Sequence, residues 1–593
     1  MDAFPDSDRF LRFASFELDV RSRELRKGGD RIRLQEQPFE ILRLMLERPG
    51  DVVTREEMAR RLWPDGTFVD FEHSLNAAVK RLRAALGDDA DNPRFVETLP
   101  RRGYRFIASL RHNGAASVDG SRAAAPALTA PPIAPDYQAR LAVLPFTNSS
   151  SGESGQEYFS DGLTEEMIVQ LGRLLRGRIG VISRSSSMLF KGGSQRARDI
   201  GQTLRADYLL EGGVRREGDR VRITAWLVDA SSETHLWTDV FERSLTDCLL
   251  VQAEVAARIA RSLAVELLPE QPVRVSHDAS AYQTYLKGRY YWNLPGDQGF
   301  EQAIVYFEQA CASDPEFAAA YADLARTHTG RAEYYNVMPR PALEKARPIA
   351  ERSLQLDPHL SHAHLAVANV KAMLDWDWRA AEEGFRQAIA LNPSSDGAHR
   401  WYGTLLSGLG RTSEAISESE RARELDPLCF VVGTSAAWVR FMAGDYDGAI
   451  ENCRAIMEMN ARFSPAWRVL GASMIQMGRA AEGIAELEAA AATAPEDPVL
   501  LAWLAHAKAV RGECGVARKL LDGLGRLKAR RYVPAYHLAL AHVGLDDRDA
   551  AIALLDQACE ERDPALINLG LDPRFDPLRR DERFAAILEK LHL

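Results

Sequence analysis

Two short segments near the start of the chain carry basic residues in arrangements that suit nucleic-acid binding. Lys80, Arg81 and Arg83 stand in VKRLRAALGD, and Arg101 and Arg102 stand side by side in ETLPRRGYRFIAS. A guanidinium group can donate two parallel hydrogen bonds to a guanine edge or to a phosphate. The whole chain has a formal net charge of −10, so a site for a polyanion has to be local.

The basic charge is concentrated in the part of the chain that this chemistry would use. Residues 80–111 hold eight Lys and Arg against four Asp and Glu, whereas residues 1–112 hold 21 against 20. An alternative is a solvated helix face whose arginines pair with Asp88, Asp89 and Asp91. Because the arginine pair at 101–102 adds to the helix, we expect DNA binding.

The apolar residues indicate which elements position these side chains. In FEHSLNAAVKRLRAALGD their spacing predicts a helix with a buried face of Leu75, Val79, Leu82 and Leu86. Small alanines on the opposite face let such a helix approach a major groove closely. The DNA contacts predicted for this helix are His73, Asn76, Lys80, Arg81 and Arg83.

The arginine pair lies in a predicted hairpin. FVETLP and GYRFIAS have the pattern of two strands around the turn Pro100-Arg101-Arg102-Gly103. This turn places Arg101 and Arg102 at the tip, where they can reach the phosphate backbone or a minor groove. Upstream, Thr54 and Glu57 have the spacing of a capping box at the start of another helix.

Strands, three helices and a final hairpin resemble the OmpR/PhoB-type winged-helix domain. The resemblance covers about residues 13–108 and rests on RPGDVVTREEMARRLWP, VKRLRAALGD and ETLPRRGYRF; we assign residues 1–112 to this domain. It implies a DNA-binding helix and wing, and contact between PDGTFVDFE and RNA polymerase. The sequence departs from the family at Ala78, where many members carry histidine. No receiver domain precedes the module, so we expect no phosphorelay control.

Two further regions precede the carboxy-terminal half. Residues 113–139 are rich in Ala and Pro, with little apolar surface to bury, and predict a flexible linker. Residues 140–270 predict a mixed α/β domain, with a strand in LAVLPF, a helix that begins at Asp161, and three strands with turns at 217–219 and 231–233. This stretch resembles the amino-terminal domain of TolB-like proteins, which implies no catalysis and an unknown ligand.

Residues 280–593 predict a repeat array. Small residues recur every 34 positions at Ala381, Ala415, Ala449, Gly483, Ala517 and Ala551. Large apolar residues follow four positions later at Phe385, Leu487, Leu521 and Leu555. The unit resembles the tetratricopeptide repeat, and we count about eight units with a carboxy-terminal cap.

One unit of the array is longer than the others. Pro315 and Pro358 are 43 residues apart, nine more than the period, which favours a loop insertion. Stacked helix pairs leave a concave surface that holds a peptide or a partner protein. The alternative is that the array is only a scaffold or a dimerisation module.

The sequence does not predict an enzyme. It contains no G-x-x-x-x-G-K-[ST] phosphate loop, no G-x-S-x-G elbow and no kinase motif set. The six cysteines form no C-x-x-C pair. His359, His362 and His364 are close in sequence, but their positions on a helix do not converge. We therefore expect no cofactor and no metal.

Together the regions predict a multidomain protein of the α/β plus all-α class. Its expected function is that of a one-component, cytoplasmic transcriptional regulator that binds double-stranded DNA, with the array sensing a signal or binding a partner. The plan resembles membrane-integrated regulators of the CadC type, but a proline-rich linker stands in place of their membrane span, so we expect no membrane association. The competing hypothesis is an interaction scaffold whose winged helix contacts protein instead of DNA.

Overall fold

The protein is represented by a computed structural model that forms two compact units, Met1–Ala130 and Pro131–Leu593. The residues that the structure describes are 10–13, 16–19, 24–27, 30–32, 34, 36–47, 52–55, 57–58, 71–86, 88, 95–99, 103–106, 110–111, 137–149, 157–175, 178–193, 195–217, 220–244, 254–255, 258–259, 278–294 and 296–593.

The first unit begins with an antiparallel meander. Its strands are β1 (Phe10–Phe13), β2 (Phe16–Asp19), β3 (Glu24–Lys27) and β4 (Asp30–Ile32), and a later strand, β8 (Leu110–Arg111), pairs with β1. Phe16, Leu18 and Leu25 are buried on one face of this sheet, because alternate residues of a strand point to the same side.

Two helices and a second sheet follow. The elements are α1 (Glu36–Glu47), β5 (Val52–Thr54), α2 (Phe71–Leu86), β6 (Val96–Leu99) and β7 (Gly103–Phe106), with β7 central between β5 and β6. Thr54 and Glu57 form the predicted capping box, in which each backbone N–H donates to the other side chain, over 2.9 and 3.2 Å. Of the helix predicted there, the structure describes Arg55, Glu57 and Met58, all helical.

The second unit opens with a mixed sheet and the helices that accompany it. The elements of this part are β9 (Ala139–Val143), β10 (Thr147–Asn148), α3 (Glu157–Leu174), β11 (Ile179–Ile182), α4 (Arg184–Ser187), α5 (Ala197–Leu204), β12 (Tyr208–Glu217), β13 (Arg220–Asp229) and β14 (Thr234–Ser244). The sheet has the order β11-β9-β12-β13-β14, with β10 paired to β12. The three predicted antiparallel strands are confirmed as β12, β13 and β14, and the predicted turn at 231–233 lies between β13 and β14. Residues 218 and 219 of the other predicted turn lie outside the described residues.

Two expectations for this region are wrong. The helix begins at Glu157, and Asp161 is buried one turn inside it, where its carboxylate pairs with Lys191 over 2.8 Å. The predicted linker extends too far, since Tyr137 already belongs to the folded unit. Its hydroxyl donates to the carbonyl oxygen of Pro393 over 2.7 Å, and the Arg421 guanidinium lies 3.3 Å from its ring centre. Residues 113–136 lie outside the described residues.

The rest of the second unit is a solenoid of paired helices, as predicted. Over residues 279–593, where 295 alone is not described, sixteen helices form eight pairs and one more helix ends the chain: α6 (Ala279–Trp292), α7 (Asp297–Ser313), α8 (Ala318–Glu333), α9 (Pro339–Leu356), α10 (Ser361–Val370), α11 (Trp378–Leu391), α12 (Asp396–Gly408), α13 (Thr412–Leu425), α14 (Phe430–Met442), α15 (Tyr446–Met459), α16 (Ser464–Gln476), α17 (Ala480–Thr493), α18 (Pro498–Val510), α19 (Cys514–Leu527), α20 (Ala535–Gly544), α21 (Arg548–Glu561) and α22 (Glu582–Lys590).

The 34-residue columns identified in the sequence are buried packing positions. The small residues from Ala381 to Ala551 are all buried, each in the fourth position of the second helix of its pair. Phe385, Leu487 and Leu555 are buried, and Leu521 is half-buried. A small residue at the crossing lets the two helices approach, so the large residue four positions later can fill the remaining space.

The nine extra residues between Pro315 and Pro358 do not form a loop. Helix α8 spans Ala318–Glu333 and helix α9 spans Pro339–Leu356, so each is longer than its counterpart in the pair α12 and α13, Asp396–Gly408 and Thr412–Leu425. The connection between α8 and α9 is only slightly longer than the one between α12 and α13. Lengthening the helices keeps the extra backbone groups hydrogen-bonded within each helix, which an inserted loop would not do.

The carboxy-terminal segment returns to the second and third helix pairs. The Tyr335 hydroxyl donates to the Asp563 carboxylate over 2.7 Å, and the Trp378 indole donates to the carbonyl oxygen of Leu591 over 2.8 Å. Two 3₁₀ turns, Pro564–Asn568 and Pro573–Leu578, connect α21 to α22. Among the described helices, none combines the length and the apolar content that crossing a bilayer requires.

Candidate nucleic-acid interface

Helix α2 buries the apolar face that the sequence predicted. Leu75, Val79, Leu82 and Leu86 are buried at 0 to 2% exposure, and the helix packs against α1. Lys80 and Arg81 are exposed on the same helix. Because four apolar side chains fix the rotation of α2, these two cations point to solvent, where a polyanion can reach them.

Arg83 has a different environment. Its Nη2 donates to the carbonyl oxygen of Val96 over 2.6 Å and to Thr98 Oγ1 over 2.9 Å. In the free protein its guanidinium therefore binds α2 to the first strand of the hairpin, and direct contact with DNA stays a prediction. We classify Arg83 by this geometry as a residue that positions the helix and the hairpin relative to each other.

A carboxylate strengthens the same junction. Asp88 Oδ2 accepts hydrogen bonds from the backbone N–H groups of Phe95 and Val96, over 3.3 and 2.8 Å. The backbone N–H of Asp88 donates to the carbonyl oxygen of Arg83 over 2.9 Å. The carboxy-terminal end of α2 and the start of β6 thus form one hydrogen-bonded unit.

The predicted hairpin is confirmed in its strands. Strands β6 and β7 pair antiparallel from Val96 with Phe106 to Leu99 with Gly103, and Gly103 also pairs with Thr54 of β5. A Cβ atom on Gly103 would stand 2.1 Å from the carbonyl oxygen of Val53. The close approach of β5 and β7 therefore requires the glycine that follows the arginine pair.

Side chains on both sides of the hairpin hold it in place. Arg105 Nη2 pairs with Glu97 Oε2 across the two strands over 2.6 Å. The Arg55 guanidinium lies 5.3 Å from the ring centre of the buried Tyr104 and donates to its hydroxyl over 3.3 Å. The hairpin is thus attached to the body of the domain through β7.

The remaining predicted contacts fall outside the described side chains. His73 and Asn76 lie on α2, and their side chains are outside the described set, as are Arg101, Arg102 and residues 64–70 of PDGTFVDFE. The structure thus brings Lys80 and Arg81 together on one exposed face and joins Arg83 to the hairpin.

The three neighbouring histidines do not form a cluster. His359 precedes α10, His364 Nε2 lies 2.8 Å from the carbonyl oxygen of Pro358, and His362 Nδ1 lies 3.5 Å from Asp323 Oδ1. Among the described residues, no three His, Cys, Asp or Glu side chains are grouped to hold a metal ion.

Sequence reasoning missed a set of polar residues on the concave side of the solenoid. Arg400, Thr434 and Arg468 line one cavity there. Their spacing equals the period of the repeat, so the same column count that found the buried small residues would have found them. Their chemistry is considered below.

Three family models match separate parts of the chain. Residues 29–106 match the model described as "Transcriptional regulatory protein, C terminal", residues 137–258 match "HilA/YgeH-like transcriptional regulator, second domain", and residues 440–507 match "Tetratricopeptide repeat". The chain thus contains an OmpR/PhoB-type DNA-binding domain and tetratricopeptide repeats. The second model also begins at Tyr137. It matches the region for which we expected a TolB-like domain, and that resemblance is unconfirmed.

Curated relatives include transcriptional regulators. The Salmonella typhimurium "Transcriptional regulator HilA" is 22% identical over 75% of this chain and 76% of its own length. A Vibrio parahaemolyticus "Cholera toxin homolog transcriptional activator" is 34% identical over 19% of this chain and 40% of its own. The Rhizobium meliloti "Putative adenylate cyclase 3" is 33% identical over 38% of this chain, which spans only 39% of that relative.

Solved structures match single regions. The Klebsiella pneumoniae RstA DNA-binding domain in complex with RstA box is 27% identical, with a TM-score of 0.16, over 17% of this chain and 97% of that one. YrrB, a TPR protein with an unusual peptide-binding site, is 19% identical, with a TM-score of 0.25, over 32% and 93%.

Proposed function

We propose that this protein is a one-component transcriptional regulator that binds double-stranded DNA through α2 and the β6–β7 hairpin. The observation that carries the proposal is the exposure of Lys80 and Arg81 on a helix whose opposite face is fixed in the core. The match of residues 29–106 to a transcriptional regulator domain supports it. In this proposal the repeat array receives the signal or binds the partner.

The two parts of the interface have different tasks. Arg81 on α2 contacts base edges in the major groove, where two hydrogen bonds to one guanine discriminate between bases. Arg101 and Arg102 contact the phosphate backbone or a minor groove, which adds affinity with little sequence information. Arg83 keeps the two parts in register through its bonds to Val96 and Thr98.

A binding experiment on the full chain tests the proposal. The protein is used to select sequences from a random duplex library, and the enriched duplex is titrated by fluorescence anisotropy at several salt concentrations. We expect enrichment of a defined sequence and an affinity that falls steeply with salt, because phosphate contacts release counterions. Arg81→Ala should lose most of the preference for that sequence.

The matched control is Arg462→Ala, which removes an exposed cation from the repeat array. This variant should bind DNA as the parent does. If the folded full-length protein retards no duplex even at low salt, the regulator proposal is wrong, and the scaffold hypothesis, in which the winged helix contacts protein, takes its place.

We place this function ahead of an enzymatic one. The name of the Rhizobium relative includes an adenylate cyclase, but this chain matches only 39% of the length of that protein. The three matching models describe regulator and repeat domains. The proposal includes a cytoplasmic location, since the protein must reach DNA, and contact between residues 64–72 and RNA polymerase stays a prediction.

A further inference from the structure

The concave side of the solenoid contains a cavity of about 240 Å³. It is somewhat smaller than the roughly 300–1,000 Å³ of pockets that take drug-sized ligands. Helices α12, α14, α16, α18 and α20 contribute to its walls, and the turn Pro564–Asn568 with Arg574 completes them. Its aromatic lining consists of Tyr334, Tyr335, Trp401, Trp438, Phe463, Trp503 and Tyr536.

Three lining residues occupy one repeat position. Arg400, Thr434 and Arg468 belong to α12, α14 and α16, the first helices of three consecutive pairs, and they recur at the period of the array. Equivalent positions of stacked repeats lie side by side on the concave surface. Thr434 therefore lies between the two arginines, and its hydroxyl oxygen is buried without a hydrogen-bond partner in the described part of the chain.

The three arginines around the cavity differ in whether they form a close ion pair. Arg400 pairs with Glu333 over 2.6 Å, and Arg574 pairs with Asp572 over 2.7 Å. For Arg468, no carboxylate of the described residues lies within the 4.0 Å of an ion pair. Its Nε is buried without a hydrogen-bond partner there, and the carboxylate whose charge acts on it, Asp497, lies beyond ion-pair distance.

The hydrogen bonds of Asp497, the carboxylate whose charge acts on Arg468, go to other groups. Asp497 Oδ2 accepts from Ser464 Oγ over 2.6 Å, and its Oδ1 accepts from two backbone N–H groups at the start of α18, each over 3.0 Å. Burial lowers the pKa of Arg468, and the charge of Asp497 only partly opposes this effect. A buried guanidinium without a close ion pair and a buried hydroxyl without a hydrogen-bond partner both cost stability, and an anion in the cavity would contact both.

The aromatic walls indicate the kind of ligand that would carry such an anionic group. The Trp503 ring lies 5.7 Å below the Arg468 guanidinium and 3.8 Å below that of Arg574. The Trp438 ring lies 5.3 Å from Arg574, and its indole donates to Asn568 Oδ1 over 3.3 Å. Flat aromatic faces beside a cation favour a flat, apolar ligand body with one negative group.

The solenoid's own end limits the size of the occupant. Arg340 donates to the carbonyl oxygen of Glu560 over 3.3 Å, and Tyr335 and Trp378 also bond the carboxy-terminal segment. An extended peptide that ran along the concave surface would have to displace this segment. A small molecule fits without displacing it.

We propose that this cavity binds a small aromatic carboxylate, with its carboxylate on Arg468 and Thr434 and its ring against the aromatic lining of the cavity. The proposal deepens the sensing role given to the array under the proposed function. Binding to the cavity is measured without DNA. If no acid binds, the DNA-binding proposal is unaffected, and if no DNA binds, the cavity proposal can still be tested.

The test is isothermal titration calorimetry of the full-length protein with benzoate, phenylacetate and indole-3-acetate. Each acid is paired with its primary amide, which has the same shape and no charge. We expect at least one acid to bind, and its amide to bind about tenfold more weakly or worse, because a charge-assisted hydrogen bond is lost. Arg468→Gln should weaken the acid by a similar factor and leave the amide unchanged.

Two further variants make the result decisive. Arg462→Gln removes an exposed arginine two residues before the start of α16 and should leave acid binding unchanged. Thr434→Val keeps the side-chain shape, should also weaken the acid, and replaces Arg468→Gln if that variant does not fold. The proposal is overturned if no acid binds, if acid and amide bind equally, or if the variant that folds, Arg468→Gln or Thr434→Val, binds the acid as the parent does. It is also overturned if a peptide with a free carboxyl terminus displaces the acids and binds more tightly.

Discussion

The Arg83 guanidinium donates to the main-chain carbonyl oxygen of Val96 over 2.6 Å and so joins helix α2 to the β6–β7 hairpin. Arg81, two residues earlier, is exposed. Arginines this close in sequence therefore have different environments, one exposed at the surface and one that holds the helix and the hairpin together.

Arg81→Ala and Arg83→Ala should consequently differ in kind. We expect Arg81→Ala to lose about 1–3 kcal/mol of binding free energy on the selected duplex and little on a scrambled one, and to change stability less than Arg83→Ala does. Arg83→Ala should lower the free energy of unfolding of the first unit by about 1–2 kcal/mol, because a buried carbonyl loses a charged donor. Anisotropy titrations and urea unfolding of both variants check this; equal stability of the two would show that the Arg83 bond does not hold the hairpin.

Arg101 and Arg102 should act on affinity more than on sequence choice. Replacing both with alanine should weaken selected and scrambled duplexes about equally and reduce the salt slope by roughly one to two units, because contacts to phosphates release counterions whatever the sequence. Titrations on both duplexes at three salt concentrations measure this. A loss confined to the selected duplex would make the hairpin the reader and would contradict the assignment.

Local pattern was enough to predict helix α2, the two strands of the hairpin and the helix columns of the array. The rotation of α2 follows from four apolar residues at helical spacing, and the 34-residue columns mark where helices cross. Arg83 could not be assigned in this way, because a helical wheel gives its direction but not that a strand 13 residues later meets it.

Contacts between segments that are distant in sequence could also not be predicted. The bond from Tyr335 to Asp563 joins residues 228 positions apart, and no period or motif indicates it. The insertion between Pro315 and Pro358 was misread because a count of residues cannot distinguish a longer loop from longer helices. Asp161 is of a residue type that often caps helices, but it lies inside the helix, where it is buried and pairs with Lys191.

A pH effect is expected where the middle domain meets the array. Asp426 Oδ1 accepts from the Ser186 hydroxyl over 2.6 Å and from its backbone N–H over 3.0 Å. Burial, and next the charge of Asp396, raises the pKa of Asp426 from 3.8 to about 7. Between about pH 4 and pH 7 the folded state therefore holds a proton that the unfolded state has released, and the contribution of Asp426 to stability falls as the pH rises.

Asp426→Asn isolates this contribution. Below about pH 4 the variant and the parent should have similar free energies of unfolding, and the variant should gain steadily up to about pH 7 and by a constant amount above it. His328 and His506, whose pKa values burial lowers to about 4, titrate in the opposite sense but are common to both proteins and cancel in the difference. Urea unfolding at five pH values gives the difference curve; a flat curve would show that Asp426 is ionised in the folded protein.

The contact between Tyr335 and Asp563 should control how firmly the carboxy-terminal turns stay in the concave surface. Tyr335→Phe removes the hydroxyl and leaves the ring, which packs against His537 with centroids 5.5 Å apart. Asp563 keeps the backbone N–H of Ala565 as a donor, so we expect a loss of about 1 kcal/mol that is local and not global.

Amide hydrogen exchange followed by mass spectrometry measures this loss directly. Peptides from residues 564–578 should exchange about fivefold faster in Tyr335→Phe, since about 1 kcal/mol changes an opening equilibrium by that factor, while peptides from α14 and α15 should be unchanged. Tyr290→Phe is the control, because it removes a half-buried hydroxyl from α6, far along the chain from the carboxy-terminal turns. If exchange in residues 564–578 is the same in Tyr335→Phe and in the parent, the hydrogen bond does not hold these turns and the remaining contacts, such as that of Trp378 with Leu591, are sufficient.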